Sequence, residues 1–158
     1  MNGIKTWEEL KILRKRFKEE GEKVVFTNGV FDIIHPGHID YLTKAKALGN
    51  KLFVGLNSDI SVKKIKGEKR PILNETERAF ILSNLKPVDY VTLFDDDTPA
   101  RLIEELIPDV LVKGADWPLD KIIGSKVVLA NGGVVKNIEF VNRQSTTKII
   151  ETIINRYS

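Results

Sequence analysis

The chain has 158 residues, of which 42% are hydrophobic and 30% charged, and its formal net charge is +3. This length fits one globular domain with its own core, and the composition excludes a disordered or collagen-like chain. Because the sequence contains no cysteine, a disulfide framework, a thiolate metal site and a cysteine nucleophile are also excluded. The small positive charge does not by itself indicate nucleic-acid binding, and it is compatible with a small anionic substrate.

The sequence shows no sign of a membrane segment. No stretch approaches the roughly 18 consecutive apolar residues that span a bilayer, and the N-terminal MNGIKTWEEL lacks the apolar centre of a signal peptide. We therefore expect a cytoplasmic protein. We also expect a single domain over residues 1–158, with an amphipathic helix within residues 1–22 packed on it.

The first elements are an amphipathic helix, a strand and a second helix. Thr6 lies three residues before Glu9, which is the spacing of a capping box, and apolar residues then recur at helical intervals. Residues 23–27 (KVVFT) form a short apolar run that is typical of a strand buried on both faces. A helical pattern follows from about His38 and ends at Gly49.

The alternation of strands and helices continues to the C-terminus. Further strands are predicted at residues 51–56, 90–94, 110–112 and about 134–140, and further helices are predicted to begin at Asn74, at Thr98 or Pro99, near Lys126, and at Thr146 or Thr147. This spacing predicts a doubly wound, Rossmann-like α/β fold whose parallel five-stranded sheet is covered by helices on both faces. Residues 58–73 are predicted to be an irregular, lysine-rich and functional loop.

The ligand crevice of a doubly wound sheet lies beyond the carboxyl ends of its strands. Five segments follow the predicted strands at that edge: residues 28–38, 57–70, 95–97, 113–116 and 143–147. Polar residues and glycines collect in these segments, whereas the strands are apolar. We therefore expect one crevice that is assembled from five loops.

The first of these loops carries the strongest chemical signal. The segment TNGVFDIIHPGH contains both histidines of the protein, His35 and His38, with Gly37 between them at the predicted start of a helix. Glycine allows a phosphate to approach the backbone closely, and a helix N-terminus offers unpaired N–H groups and a positive dipole end. Imidazoles at positions i and i+3 face the same ligand. This arrangement suits a polyphosphate whose negative charge grows during a reaction.

A metal site is the alternative interpretation of this histidine pair. It would need a third ligand, which Asp32 or one of the aspartates at residues 95–97 could supply. The aspartate run has a simpler explanation, because it precedes the helix capped at Thr98, where acidic side chains stabilise the positive end. We therefore predict no metal held by the protein.

The histidine segment resembles the first signature of the nucleotidyltransferase superfamily, whose His-x-Gly-His motif matches residues 35–38. Further segments resemble, in the same order, the adenylyltransferases of ADP-heptose synthesis. They are GLNSD (55–59), KGEKRP (66–71), Glu77-Arg78, LVKGAD (111–116), GSK (124–126), ANGG (130–133) and STT (145–147). The resemblance extends from about residue 23 to the C-terminus.

The resemblance implies transfer of AMP from ATP to D-glycero-β-D-manno-heptose 1-phosphate, which yields pyrophosphate and ADP-heptose for lipopolysaccharide core synthesis. ATP would be a substrate that brings Mg²⁺ with it. The resemblance also suggests a homodimer, with small-molecule partners and neither nucleic acid nor membrane. Many relatives are fused to a sugar kinase, which this chain is too short to contain, so we expect a separate heptose kinase.

Roles for individual residues follow from the same resemblance. Because the sugar phosphate attacks the α-phosphorus directly, catalysis consists of positioning and charge stabilisation. The expected catalytic residues are His35, His38, Lys64, Lys66 and Arg78, and the choice between the two lysines stays open. The expected nucleotide contacts are Thr27, Asn28, Gly29, Phe31, Gly37, Lys113, Gly114, Asp116, Ser145, Thr146 and Thr147. The expected acceptor contacts are Asp32, Asn57, Asp59 and Arg70.

Other functions share parts of this pattern. A glycerol-3-phosphate cytidylyltransferase has the same fold and first motif, but Lys113 and the ANGG segment favour the heptose enzyme. A phosphorylated receiver needs clustered acidic residues after its first strand, where this sequence has Asn28 and a single Asp32. A flavin-binding module has no distinct residue signal here, and an RNA-binding loop would need aromatic residues among its lysines.

Overall fold

The computed structural model describes residues 3–114, 117–140 and 144–158. Its elements are α1 (Trp7–Glu19), β1 (Val24–Gly29), α2 (Pro36–Lys46), β2 (Lys51–Asn57), α3 (Asp59–Lys66), α4 (Glu75–Ser83), β3 (Tyr90–Phe94), α5 (Ala100–Leu106), β4 (Val110–Gly114), a short 3-10 helix (Leu119–Lys121), α6 (Ser125–Ala130), β5 (Val134–Ile138) and α7 (Thr146–Tyr157). All five predicted strands are present, and their ends differ from the predicted ones by about two residues or fewer.

The strands form one parallel sheet in the order β3-β2-β1-β4-β5. The chain moves outward from the central β1 through β2 and β3, and it then crosses to the other side of β1 for β4 and β5. The strand order therefore reverses between β1 and β4, and a doubly wound sheet binds its ligands at such a switch point. The predicted fold class is confirmed.

Two apolar cores lie on opposite faces of the sheet. Alternate residues of β1 enter different cores, because Val25 packs into one and Phe26 into the other. The first core contains residues of α2 and α4, among them Tyr41, Leu42, Ala45, Ala79 and Leu82. The second contains residues of α1, α5 and α6, among them Leu10, Phe17, Leu102, Ile103 and Val128. Helices thus cover both faces of the sheet, and α1 lies on the face of the second core.

The predicted starts of α1 and α4 agree with the observed caps, whereas α5 has Pro99 at its N-cap position, without a side-chain cap. In α1 the Thr6 hydroxyl accepts the N–H of Glu9 (3.3 Å), and the Glu9 carboxylate accepts the N–H of Thr6 (2.7 Å). Asn74 and Glu77 form the same reciprocal pair at the start of α4, with both distances 3.0 Å. Such boxes satisfy backbone N–H groups that would otherwise lack partners. None of the helices in the described ranges is long and apolar enough to cross a membrane.

The prediction of an irregular loop at residues 58–73 was wrong, because residues 59–66 form α3. The Ser58 hydroxyl caps this helix by accepting the N–H of Ser61 (3.3 Å), and Ser61 and Val62 are fully buried. The high lysine content concealed the helix, since only a narrow side of it reaches the core. Helix α2 also begins earlier than predicted, at Pro36, so that His35 occupies its N-cap position.

Candidate active site

Three adjoining cavities open at the carboxyl ends of the strands. The first chamber has a volume of about 370 Å³ and is lined by Asn28, Gly29, Val30, Asn57, Ile65, Lys66, Asp97, Thr98, Pro99, Leu111, Lys113, Trp117, Lys121, Ile122 and Ile123. The second chamber, of about 240 Å³, is lined by Asn28, Gly29, Val30, Phe31, His38, Tyr41, Lys113, Gly114, Trp117 and Phe140. The third chamber, of about 610 Å³, is lined by Val30, Phe31, Asp32, His35, His38, Lys66, Arg70, Phe140, Gln144, Ser145, Thr146 and Thr147.

The three chambers meet just beyond the end of β1. Val30 lines all of them, His38 lines the second and third, and Lys66 lines the first and third. The first and second chambers share Lys113 and Trp117. One crevice therefore has three compartments around a common centre at Val30, at the switch point of the sheet.

The two histidines lie side by side at the start of α2. Their rings are stacked, with centroids 3.8 Å apart and planes at 27°. Burial lowers the pKa of His35, and burial together with the charge of His35 lowers the pKa of His38 to about 4. Both Nδ1 atoms are buried without a hydrogen-bond partner among the described residues. The pair is therefore held neutral at the edge of the third chamber, and an anion there would favour its protonation.

Phe31 fixes the position of His38 from the other side. Its ring centroid lies 5.2 Å from that of His38, and its backbone has a φ of +45°, in the left-handed region that non-glycine residues seldom adopt. A Cβ atom on Gly29 would lie 2.9 Å from Cε2 of the Phe31 ring, closer than real contacts allow. Glycine at position 29 is therefore needed to let this ring pack beside the histidine.

The third chamber combines several sources of positive potential. It contains the histidine pair, Lys66 and Arg70, and it includes Thr146 and Thr147 from the first turn of α7. The Ser145 hydroxyl caps α7 by accepting the N–H of Lys148 (3.2 Å). Helix N-termini attract anions through their free N–H groups and their dipole. This chamber is the part of the crevice best suited to a polyphosphate.

The structure distinguishes between Lys64 and Lys66, two of the three lysines of α3. Lys66 lines the first and third chambers, whereas Lys64 lines none of the three. Lys64 is more than half exposed, and its Nζ lies 3.0 Å from Oδ1 of Asp97. Of Lys64 and Lys66, it is therefore Lys66 that is placed to contact a ligand in the crevice.

Asp32 and Arg70, both expected at the acceptor, are bonded to each other. The Arg70 Nε donates to Oδ2 of Asp32 over 2.6 Å, and the N–H groups of Ile72 and Leu73 donate to the same carboxylate at 2.9–3.0 Å. The carboxylate is almost fully buried, with 1% of the side chain exposed. Asp32 thus fastens residues 70–73 to the first loop, and its oxygens are already occupied.

Arg78, expected at the triphosphate, is completely buried beneath the crevice and lines none of the three chambers. Its guanidinium donates to three backbone oxygens, those of Leu73, Val30 and Asn57, at 2.7–3.0 Å. Its remaining partner is the carboxylate of Asp59 at 2.7 Å. Because these bonds satisfy the guanidinium inside the fold, Arg78 holds the ends of β1 and β2 together and does not reach a phosphate in the crevice.

A family model described as cytidylyltransferase-like matches residues 26–152, which is most of the chain. The chain belongs to the cytidylyltransferase-like family. This membership makes it a nucleotidyltransferase that acts on a nucleotide substrate, as the His-x-Gly-His segment predicted. The match spans β1 to α7 and so includes all three chambers.

Individual relatives agree with this assignment to the cytidylyltransferase-like family. The chain is 55% identical over 142 residues to a "Bifunctional protein HldE" from Citrifermentans bemidjiense. This match covers 90% of this chain and 29% of that protein. A protein of the same name from Pelobacter propionicus is 48% identical over 155 residues, or 98% of this chain and 32% of the relative. The chain thus spans about a third of the length of these relatives.

A solved structure also resembles this cytidylyltransferase-like chain. The lipopolysaccharide core biosynthesis protein from Thermoplasma volcanium is 32% identical, with a TM-score of 0.63 over 78% of this chain and all of that one. The fold and the family therefore rest on independent comparisons.

Most of the expected nucleotide contacts of this cytidylyltransferase-like chain line the second or third chamber, namely Asn28, Gly29, Phe31, Lys113, Gly114, Ser145, Thr146 and Thr147. Gly37 lies buried in the first turn of α2, between the histidines. Thr27 is different, because it is fully buried within β1 and its hydroxyl lies 2.7 Å from that of Tyr41. Thr27 therefore holds Tyr41 and does not reach a ligand. Asp116 lies outside the described residues.

Three aromatic residues at the crevice were not anticipated. The ring of Phe140 stacks on that of Tyr41, with centroids 5.1 Å apart, and Trp117 lines the first and second chambers. A Cβ atom on Gly114 would lie 2.3 Å from Cε2 of Phe140, so the ring rests directly against this glycine. An isolated aromatic residue after a strand leaves no periodic pattern in the sequence. The glycine that ends the Val-Lys-Gly segment of β4 does give a signal, because a residue without a side chain lets a ring lie against the backbone.

The described part of the crevice offers no cluster of ligands for a metal ion. Among residues 3–114, 117–140 and 144–158, no group of three or more His, Asp or Glu side chains is placed to hold a metal ion. Three of the four aspartates that were considered as ligands form ion pairs with basic side chains: Asp96 with Arg101 (3.4 Å), Asp97 with Lys64, and Asp32 with Arg70.

Proposed function

We propose that this nucleotidyltransferase transfers AMP from ATP to D-glycero-β-D-manno-heptose 1-phosphate, forming ADP-heptose and pyrophosphate for lipopolysaccharide core synthesis. The stacked pair of His35 and His38, placed beside the N-terminus of α7, is the observation that carries the proposal. The choice of sugar is supported by the similarity to the HldE proteins and to the lipopolysaccharide core biosynthesis protein.

In this reaction an oxygen of the sugar phosphate forms a bond to the α-phosphorus of ATP. The bond from that phosphorus to the oxygen bridging to the β-phosphorus breaks, and pyrophosphate leaves with the electron pair. Negative charge therefore grows on the leaving group, and preorganised donors and cations lower the barrier. We place the β- and γ-phosphates in the third chamber, between the histidine pair and the hydroxyls of Thr146 and Thr147.

The adenosine is proposed to occupy the second chamber. Gly114 and Phe31 form part of its wall, and Phe140 offers a ring face near the opening. Aromatic faces stack on nucleobases with little dependence on the particular base. The α-phosphorus would then lie at Val30, where the three chambers meet.

Lys66 is proposed as the lysine that stabilises the transition state, because it borders both the first and the third chamber. Lys64 is assigned to the surface, where it pairs with Asp97. Arg78 and Asp32 are assigned positioning roles, since their bonds hold the loops that form the crevice. Asn57 borders the first chamber as an acceptor contact, and Asp59 supports it through Arg78.

Mg²⁺ is proposed to arrive with the triphosphate as part of the substrate. Mg²⁺ keeps most of its water and binds substrate phosphates readily, so the protein need not provide a full set of ligands. A homodimer and a cytoplasmic location complete the proposal.

The direct test measures pyrophosphate release with each nucleoside triphosphate against a panel of sugar and polyol phosphates. We expect turnover with ATP and D-glycero-β-D-manno-heptose 1-phosphate. Turnover with CTP and glycerol 3-phosphate instead would contradict the proposal and favour the alternative within the same family. As a matched pair, Lys66→Ala should lower kcat by about 100-fold, whereas Lys64→Ala should change it less than about threefold. Equal losses in both variants would remove Lys66 from its assigned role.

A further inference from the structure

Lys113 stands at the wall between the first and second chambers. It is the fourth residue of β4, and it lies at the switch point beside the end of β1. Its Nζ donates to Oδ1 of Asn28 over 3.3 Å, and among the described residues no carboxylate forms an ion pair with it. The residue is partly buried there.

An anion would be a favourable partner for the ammonium group of Lys113. Burying an ammonium group is unfavourable unless a partner of opposite charge compensates for the lost hydration, and one amide oxygen does not supply such a charge. Burial accordingly lowers the pKa of Lys113. A dianionic phosphate beside Nζ would restore the charged form and satisfy its remaining donors.

We infer that Lys113 binds the phosphate of the acceptor sugar and that the first chamber holds the sugar itself. The inference rests on the proposed transfer of AMP. Lys113 was expected to contact adenosine, but it borders the first and second chambers and not the third, where the histidine pair and the start of α7 lie. Its charge is thus separate from the groups that suit the leaving pyrophosphate.

The walls of the first chamber fit a sugar. The half-exposed ring of Trp117 offers an apolar face, whereas Asn57 and Thr98 offer groups that hydrogen-bond to hydroxyls. In an in-line transfer the attacking oxygen and the leaving oxygen lie on opposite sides of the phosphorus. Acceptor in the first chamber and pyrophosphate in the third both reach the centre at Val30, with Lys66 bordering the two.

The test compares Lys113→Met with the wild type and with Lys126→Met, a surface control on α6. We expect Lys113→Met to raise the KM for heptose 1-phosphate roughly 10- to 100-fold, as loss of a charge-assisted bond does. The dissociation constant of ATP, measured by calorimetry, should change less than about threefold. Lys113→Arg should recover part of the acceptor affinity, and Lys126→Met should match the wild type. Lys113→Gln replaces the methionine variant if the latter does not fold.

The outcomes separate this inference from the proposed function. If the wild type uses heptose 1-phosphate but Lys113→Met leaves its KM within twofold, only the role of Lys113 is wrong. An equal loss of ATP affinity would show that Lys113 is a nucleotide contact, which also overturns the inference. If the wild type turns over another sugar or polyol phosphate, the proposed acceptor is wrong, and the same comparison with that acceptor decides the role of Lys113. If no acceptor turns over, direct calorimetric titration of heptose 1-phosphate decides it: weaker binding to Lys113→Met supports the inference, and equal or absent binding overturns it.

Discussion

The Asp32 carboxylate gives the most quantitative prediction, because three donors converge on it. It accepts the Nε of Arg70 at 2.6 Å and the N–H groups of Ile72 and Leu73 at 2.9–3.0 Å, in almost complete burial. Asp32→Asn keeps the shape but removes the charge and turns an NH₂ group toward donors. Hydrogen bonds to charged groups contribute about 1.5–3 kcal/mol each, and breaking one side of a buried ion pair costs about 3–5 kcal/mol. We expect a loss of about 3 kcal/mol in the free energy of unfolding.

For a chain of this length, that loss corresponds to a fall in Tm of about 6–12 °C. Urea denaturation and thermal melting followed by circular dichroism measure both quantities. The matched control is Asp40→Asn, which removes a half-exposed pair with Lys44 on α2. Exposed pairs of this spacing contribute only about 0.3–0.5 kcal/mol. If Asp32→Asn destabilises the protein no more than the control does, the argument that residues 70–73 are fastened by Asp32 is refuted.

Three further predictions concern the crevice. His35→Ala and His38→Ala should each lower kcat by about 100-fold or more with little change in Tm, because phosphate-directed donors act mainly in the transition state; near-normal turnover would refute this. The pKa of His38 is lowered to about 4 in the folded protein, against an ordinary value of about 6.5. Between these two pH values the unfolded chain binds more protons than the folded protein, so the free energy of unfolding falls as the pH drops from about 6.5 to about 4. His38→Gln should reduce this fall, measured by urea denaturation at pH 7 and pH 5, and an unchanged pH dependence would contradict it. Gly114→Ala places a Cβ atom 2.3 Å from Phe140 and should raise the KM for ATP about tenfold, equivalent to ~1.4 kcal/mol; an unchanged KM would show that the ring position does not matter.

The sequence predicted the fold well because its local signals are strong. The apolar runs of the strands and the capping boxes at Thr6 and Asn74 leave few alternatives to a doubly wound sheet. Helix α3 was missed since its buried side is narrow and its surface lysines resemble those of a solvated loop. The contact between residues 35 and 38 was predictable from their spacing, because the N-cap residue of a helix lies beside the third residue of its first turn.

Roles that depend on burial could not be read from the sequence. Arginine and aspartate near a phosphate motif suggest ligand contacts, yet Arg78 and Asp32 use their charges inside the fold. Thr27 and Asn28 are adjacent in β1, yet the hydroxyl of Thr27 is buried whereas the side chain of Asn28 lines the crevice. Residue type alone does not show which polar side chains already have hydrogen-bond partners in the fold, because those partners come from distant segments of the chain.

The centre where the chambers meet is formed by the main chain at the end of β1, and its surroundings come from separate loops. Gly29 and Val30 belong to the first loop, whereas the outer wall of the first chamber comes from the end of α3, the segment before α5 and the 3-10 helix. With the acceptor in the first chamber, as inferred above, substitutions in those outer segments should alter which acceptor fits while leaving the centre at Val30 intact. Engineering of a new sugar or polyol specificity in this scaffold is thus best directed to residues 97–99 and 117–123, with the histidine segment left unchanged.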